Sequence, residues 1–360
     1  MQPVVPLDVQ RIVIEWVYRS SQHSNVDYQT LCACAIVCRA WAPIAQRMLF
    51  RRLPAFSSFM KGRIHHLVHS LHANPRLASY VYSVHINILP STYEENWSLL
   101  ILDHCPKVRS IIIMGTIDSS SWTTAFENRL RALPLNPVSL QLTGDADTVA
   151  TRVVPLWPSV QVLSLYSWNM YNADDIDNDD WGANTPVRIP VPRSVRSLSI
   201  KTDFISWVLV PVAGHAVRDL AFESPGWSDR TWVTSLLASG MLPQLRSVII
   251  EGEIPPPDVM GQLTQLRSLI FTLQSDQKVV LPQSLCHLGY HRWPGPARTE
   301  PGHLIAAVHA SRNLRLLTML SVTPQSVRAM FDDACRERDI ELVFYQDHTH
   351  YPRLEVVDWI

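Results

Sequence analysis

The sequence predicts an α/β protein in which three short N-terminal helices precede a long array of short parallel strands. Two observations support this prediction. Apolar residues recur at helical spacing through the first 50 residues, and beyond residue 75 one short apolar phrase returns many times. We therefore expect a helical module over residues 1–53, a connecting helix over 54–76 and a repeat array over 77–360.

The composition indicates a folded chain with a substantial core. Of its 360 residues, 47% are hydrophobic and 18% are charged. The formal net charge of −1 predicts no general attraction to nucleic acid or to an anionic membrane. The six cysteines follow a start that lacks the features of a signal peptide, and no apolar run reaches membrane-spanning length. We expect reduced thiols and a cytoplasmic or nuclear protein.

The N-terminal module reads as three helices. Pro6 fits a first helical turn, where its missing amide hydrogen costs nothing. Apolar residues then recur every four positions, at Val5, Val9, Val13 and Val17. A polar stretch over 20–25 predicts a loop, and Pro43 opens the third helix. The second helix is expected to carry its apolar positions at Leu31, Cys34, Ile36, Val37, Cys38 and Trp41.

The two ends of this module resemble an F-box, and their residue sequence is similar to the fungal form of that motif. The F-box pattern opens on Leu-Pro-x-Glu-Leu and closes on Val-Cys-Arg-x-Trp. Here Val5-Pro6-Leu7-Asp8-Val9 corresponds to the opening, with Val for Leu and Asp for Glu. Val37-Cys38-Arg39-Ala40-Trp41 corresponds to the closing signature. The resemblance covers about 50 of the 360 residues, and the long loop from Arg19 to Asn25 departs from it.

The resemblance implies docking onto the Skp-type adaptor, and through it onto the cullin, of a ubiquitin ligase. The adaptor-binding residues implied by position are Val5, Pro6, Val9, Val13, Leu31, Val37, Cys38 and Trp41. The chain would then tether a protein target, while ubiquitin transfer occurs on other subunits, so neither enzymatic activity nor a cofactor is expected. The alternative is a non-ligase binding or scaffold protein whose N-terminal helices are a structural cap.

The rest of the chain repeats an apolar-x-x-apolar-x-apolar phrase, as in Val195/Leu198/Ile200. First positions at 195, 217, 245, 266, 285 and 314 give intervals of 22, 28, 21, 19 and 29 residues. Such lengths predict an irregular leucine-rich-repeat-like solenoid with short parallel strands, and convex-side helices over 227–239 and 324–338. An ordinary many-stranded α/β domain is the alternative. The phrases begin at Val81, Val108, Val160, Val195, Val217, Leu245, Leu266, Leu285, Leu314 and Ile340, with a partial copy at Leu140-Gln141-Leu142.

Aligning the phrases produces a column of arginines at the second position and of serines at the third. The arginines are Arg109, Arg196, Arg218, Arg246, Arg267 and Arg315. In stacked parallel strands, equivalent side chains lie about 5 Å apart. One interpretation is an outward-fanned edge row without a ligand. The other is a basic rim that binds an acidic or phosphorylated target segment, at Arg196, Arg218, Arg246 and Arg267.

Three clusters resemble metal sites, and each is better explained otherwise. Cys32, Cys34 and Cys38 would point in different directions from a helix, so helix packing is favoured. The histidines His65, His66, His69 and His72 have no carboxylate or cysteine nearby in sequence. The acidic segment 174–180 lacks the glycine and glutamate of a calcium loop. No nucleotide-binding or hydrolase motif is present, so the sequence predicts neither a metal site nor catalysis.

Overall fold

The fold was analysed in a computed structural model, in which the chain divides into two compact units, Met1–Trp157 and Pro158–Ile360. The structure describes residues 6–20, 28–53, 61–87, 97–115, 124–144, 146–167, 187–201, 207–211, 217–223, 242–251, 257–272, 279–291, 302–320 and 325–345. The predicted helix over 227–239 and the acidic segment 174–180 lie outside these residues.

The first unit begins with three helices and continues with parallel strands separated by helices. Its elements are α1 Leu7–Ser20, α2 Tyr28–Val37, α3 Ala42–Arg51, β1 Arg52–Leu53, α4 Lys61–Ala73, α5 Pro75–Ala78, β2 Ser83–Asn87, α6 Trp97–His104, β3 Ser110–Gly115, α7 Thr124–Ala132, β4 Ser139–Gly144 and α8 Ala146–Val153. A 3₁₀ turn at Val154–Leu156 follows. Strands β1 to β4 pair in chain order, each parallel to the next.

The three N-terminal helices share a small core of their own. Its buried residues are Ile14, Tyr18, Leu31, Cys34, Ala45 and Met48, with Trp41 and Leu49 among those packed against it. Helix α2 ends at Val37, earlier than expected, because Cys38 opens a turn: its carbonyl accepts hydrogen bonds from the Trp41 and Ala42 amides at 3.2 and 3.1 Å. Within a continuous helix, Pro43 would clash with the Arg39 carbonyl. The chain therefore starts a new helix with Pro43 in its first turn.

The helical module runs directly into the first strands of the sheet. Helix α3 is followed at once by β1, which pairs with β2. The Arg51 guanidinium lies over the Tyr18 and Tyr82 rings, 6.0 and 5.8 Å from their centroids. The Tyr82 amide donates to the Arg51 carbonyl at 3.0 Å. Hydrogen bonding and cation–π contacts therefore attach the module to the start of the sheet.

The second unit consists mainly of parallel strands with helices between some of them. Its elements are β5 Val162–Ser167, β6 Val187–Val191, β7 Ser197–Lys201, β8 Trp207–Pro211, β9 Asp219–Glu223, β10 Ser247–Glu251, α9 Pro257–Gln262, β11 Ser268–Thr272, β12 His287–His291, α10 Gly302–Ala310, β13 Leu316–Leu320, α11 Gln325–Arg338 and β14 Glu341–Tyr345. A 3₁₀ turn at Leu242–Gln244 precedes β10. The sheet order is β5-β7-β9-β10-β11-β12-β13-β14, all parallel, and β6 pairs separately with β8.

The predicted α/β class, with parallel strands interleaved with helices, is confirmed, and the repeat phrases fall on the strands. The third phrase position stays in register from strand to strand: Ser197 lies opposite Asp219, Asp219 opposite Ser247, and Ser247 opposite Ser268. The fourth and sixth positions point into the core, which gives each unit a solenoid-like ladder of apolar side chains. In the second unit these buried residues include Leu163, Leu165, Leu198, Ile200, Leu220, Val248, Ile250, Leu269, Phe271, Leu288, Tyr290, Leu317 and Met319.

The last phrase is displaced by one residue from its prediction at Ile340/Val343/Tyr345. In the sheet Leu317 lies opposite Leu342, and Met319 lies opposite Phe344. Asp339 adopts a left-handed conformation, with φ of 56°, directly after α11. The Ile340 amide then donates to the Cys335 carbonyl at 2.9 Å, so Ile340 completes the helix terminus and the strand begins one residue later.

We predict that His85 makes the first unit sensitive to mild acid. Burial, together with the nearby Arg52 guanidinium, lowers the pKa of His85 from 6.5 to about 4. Between these values the unfolded chain binds a proton that the folded chain does not, so the free energy of unfolding falls as the pH drops from 6.5 to about 4. His85→Gln should flatten this dependence in urea denaturation at several pH values. The exposed-site control His303→Gln should leave it unchanged, and equal slopes in wild type and His85→Gln would refute the prediction.

Candidate functional site

Helix α1 exposes an apolar face to solvent. Val9, Ile12, Val13 and Trp16 are 45, 64, 43 and 67% exposed. Their spacing of i, i+3, i+4 and i+7 places them along one side of the helix. The core is instead contacted by the opposite side, through Ile14 and Tyr18. The sequence predicts an apolar face at Val9 and Val13, and the structure shows that this face does not supply the module's core.

Helix α2 is apolar on all sides, yet only part of it is covered. Leu31 and Cys34 point into the core, whereas Ile36 and Val37 are 86 and 63% exposed. A helix that is apolar all round is normally buried all round. Helix α2 therefore has an open side. We refer to the open residues of α1 and α2 as the exposed apolar set: Val9, Ile12, Val13, Trp16, Ile36 and Val37.

The residues expected to bind the adaptor separate into two groups in the structure. Pro6, Val9, Val13, Val37 and Cys38 are exposed. Leu31 is fully buried, and Trp41 is half-buried against the module's core. Val5 lies outside the described residues. Leu31 and Trp41 therefore pack the helices together in the isolated chain, while the other described residues are free to contact a partner.

Three residues of the exposed apolar set are not among the adaptor contacts that the F-box resemblance implies. Ile12 and Trp16 lie on the same helical face as Val9 and Val13, and Ile36 precedes Val37. The helical spacing of α1 contained the signal for the first two. The adaptor contacts follow position by position from the F-box resemblance, which supplies Val9 and Val13 but neither Ile12 nor Trp16.

The second unit carries a contiguous row of exposed arginines, which we call the arginine ladder: Arg196, Arg218, Arg246 and Arg267. Each precedes the first residue of its strand, and the four strands β7, β9, β10 and β11 are neighbours in the sheet. Backbone hydrogen bonds join successive members. The amides of Arg218, Arg246 and Arg267 donate to the preceding arginine's carbonyl at 2.7, 2.6 and 2.8 Å.

One carboxylate belongs to the immediate surroundings of the arginine ladder. Asp219 is half-buried at the start of β9, and burial raises its pKa while Arg218 and Arg246 oppose that rise. Among the described residues, no ion pair involves any of the four ladder guanidinium groups. The ladder is thus a row of exposed positive charges whose nearest described negative charge is partly withdrawn from solvent.

Three hydrogen-bonded polar side chains connect neighbouring strands near the end of the second unit. His287 on β12 hydrogen-bonds through Nδ1 to Ser268 Oγ at 2.9 Å and through Nε2 to Thr318 Oγ1 at 3.0 Å. Burial lowers the pKa of His287, which favours the neutral ring that both hydroxyls contact. These bonds link β11, β12 and β13. The polar, partly buried position of His287 is therefore explained by its role in joining the strands.

The candidate metal clusters form no binding site in the part of the chain that the structure describes. Cys32 and Cys38 are exposed, whereas Cys34 is buried. The four histidines of α4 are exposed along that helix. No group of three or more His, Cys, Asp or Glu side chains is arranged to hold a metal ion within the described ranges. No helix there is both long and apolar enough to cross a bilayer.

Comparisons with known proteins add no relative from which function could be inferred. No protein-family model matches the chain, and no curated protein matches its sequence. The F-box and leucine-rich-repeat resemblances therefore rest on the residues quoted above.

We predict that alanine substitution lowers the free energy of unfolding at a buried residue of α2 far more than at an exposed one. Leu31→Ala removes a fully buried side chain and should lower the free energy of unfolding by about 2–5 kcal/mol. Ile36→Ala, on the same helix, should change it by less than about 0.5 kcal/mol, because that side chain is 86% exposed. Urea denaturation followed by circular dichroism measures both. Similar losses in the two variants would mean that Ile36 is covered by other parts of the chain.

Proposed function

We propose that this chain is the substrate-recognition adaptor of a Skp–cullin–F-box ubiquitin ligase. The observation that carries the proposal is the exposed apolar set, which lies on a three-helix module whose sequence resembles the F-box at both ends. In this proposal the set docks onto a Skp-type adaptor. The repeat array holds the target.

The physical case for a partner begins with the cost of exposing these side chains. Fully burying a Val, Ile or similar side chain is worth about 1.5–3 kcal/mol relative to leaving it in water. The exposed apolar set contains six such residues on two short helices. An exposed apolar stripe such as the one on α1 marks an interaction site more often than a stable free surface. A partner that covers these residues would recover the part of that free energy that corresponds to their exposed fractions.

The surroundings of the apolar face also suit an interface. On α1, Arg11 and Glu15 form an exposed ion pair at 2.7 Å, and Asp8 is exposed in the first turn. Protein interfaces commonly have an apolar centre with a polar rim. An amphipathic helix whose apolar face enters a groove on the partner is a recurrent recognition mode. Helix α1 has the apolar stripe and polar flank that this mode requires.

The module also supports a second candidate, a structural cap on the repeat array without any ligase connection. Its favouring observation is the junction, where β1 pairs with β2 and Arg51 lies over Tyr18 and Tyr82. Terminal repeats do require capping. The cap, however, leaves the exposed apolar set unexplained, because the junction uses α3, β1 and the Tyr18 side of α1. The adaptor proposal accounts for both observations.

The proposed mechanism is proximity. A target bound to the repeat array and a ligase bound to the helical module become parts of one complex, so ubiquitin transfer proceeds at a high effective concentration of its acceptor. The chain itself needs no acid, base or nucleophile for this function. It needs two binding surfaces that are held together in one folded chain.

We predict that charge within the exposed apolar set abolishes adaptor binding. Val9→Asp/Val13→Asp places two carboxylates at the centre of the proposed interface and should weaken binding at least about 30-fold, equivalent to about 2 kcal/mol. Titration calorimetry with a purified Skp-type adaptor measures the affinity. Met330→Asp is the control, since Met330 is 46% exposed on α11 in the second unit.

The same titrations decide between the two candidate functions. Circular dichroism melts should show that all variants remain folded, because the substituted residues lie at the surface. If folded wild-type chain does not bind the adaptor, the ligase proposal is wrong and the cap is favoured. If Met330→Asp weakens binding as much as the double variant, the docking face lies elsewhere.

A further inference from the structure

We propose that the arginine ladder binds an extended segment of a partner protein that carries anionic groups at alternate positions. The inference deepens the proposed function, since it specifies the chemistry of the target that the repeat array would hold. It depends on Arg196, Arg218, Arg246 and Arg267, all in the second unit.

The backbone fixes the spacing of the ladder. Each ladder carbonyl accepts two amide hydrogens from the next turn: the Arg218 carbonyl accepts from Arg246 at 2.6 Å and from Ser247 at 3.1 Å. The Arg246 carbonyl accepts from Arg267 at 2.8 Å and from Ser268 at 3.0 Å. Neighbouring parallel strands lie about 4.8 Å apart, so four successive arginines span about 14 Å from first to last Cα.

This span matches an extended peptide. A strand rises about 3.4 Å per residue, and every second side chain points to the same face. Anionic side chains at i, i+2 and i+4 therefore span about 14 Å along one face. The planar guanidinium group binds a carboxylate or a phosphate through two parallel hydrogen bonds. Three anionic groups can thus be paired along the ladder by side chains whose backbone positions are already fixed.

Charge favours an anionic ligand at this position. Like charges about 5 Å apart repel one another, and no described carboxylate forms an ion pair with the ladder. Asp219 reduces the local positive charge only in part, because it is half-buried beside Arg218 and Arg246. An incoming row of carboxylates or phosphates would relieve the repulsion. Replacing Asp219 by a neutral residue would increase the attraction.

The surroundings favour a protein segment over nucleic acid. The third-position residues beside the ladder are Ser197, Asp219, Ser247 and Ser268, which offer no aromatic ring on which a base could stack. The formal net charge of the chain is −1, whereas nucleic-acid-binding domains usually carry a broad basic surface. The ladder is only one side chain wide. It also ends at neutral residues, with Gln161 on one side and Cys286 on the other.

The test measures binding of labelled peptides to the full chain by fluorescence anisotropy. Three dodecapeptides differ only at three alternate central positions, which hold glutamate, phosphoserine or glutamine. Wild type should bind the glutamate and phosphoserine peptides and not the glutamine peptide. Arg218→Glu/Arg246→Glu should weaken binding at least about tenfold. Asp219→Asn should strengthen it.

A matched control separates the ladder from the total charge. Arg109→Glu/Arg315→Glu changes the net charge by the same amount, and both residues are exposed second-position arginines outside the ladder. This variant should bind as wild type does. Stronger binding of phosphoserine than of glutamate would indicate a phosphorylated target. Equal binding would indicate a constitutively acidic one, and either result supports the proposal.

Three outcomes would overturn it. The first is a folded wild type that binds neither anionic peptide. The second is a control variant that weakens binding as much as the ladder variant does. The third is a single-stranded RNA of equal charge that binds more tightly than the peptides. The assay contains no adaptor and changes no residue of α1 or α2. A chain that binds peptide but not the adaptor would therefore refute the proposed ligase function and leave this inference standing.

Discussion

The parallel pairing of the repeat phrases, in constant register, is the constraint on which the rest of the structure depends. No single phrase can bury its own apolar residues, because a five-residue strand such as Ser247–Glu251 offers only two side chains to the core. Stacking solves this by placing Val248 beside Leu269, and Ile250 beside Phe271. A slip of one residue would turn each apolar pair toward solvent. The register that protects the core also fixes the positions of the arginine ladder.

The strand positions could be predicted from the sequence because the apolar positions of each phrase are the ones that become buried. Leu198, Leu269 and Leu288 are apolar at fixed spacing since each faces the same core. The prediction was wrong by one residue at Ile340, whose backbone amide bonds to the end of α11 before the strand begins. The residue at which the strand begins depends on the left-handed backbone conformation of Asp339, which the apolar spacing does not specify.

The candidate site was predictable only in part, for a related physical reason. Sequence periodicity shows that Val9 and Val13 share a face, but not whether that face meets the chain's own core or a partner. The structure places Ile14 and Tyr18 in the core instead. Trp41 and Leu31 illustrate the converse, since both belong to the motif region and both pack inside the module. The column of arginines was visible in the sequence. That successive arginines are joined by backbone hydrogen bonds could be seen only once the order of the strands in the sheet was known.

In the proposed target-binding role, the arginine ladder has a discrete length. Each turn of the array contributes one second-position residue, so the ladder can grow or shrink only in steps of one charge and about 4.8 Å. Cys286 occupies the single position that separates Arg267 from Arg315. An arginine there would join six consecutive turns, which makes the length of the recognised segment a property of individual residues in the array rather than of its fold.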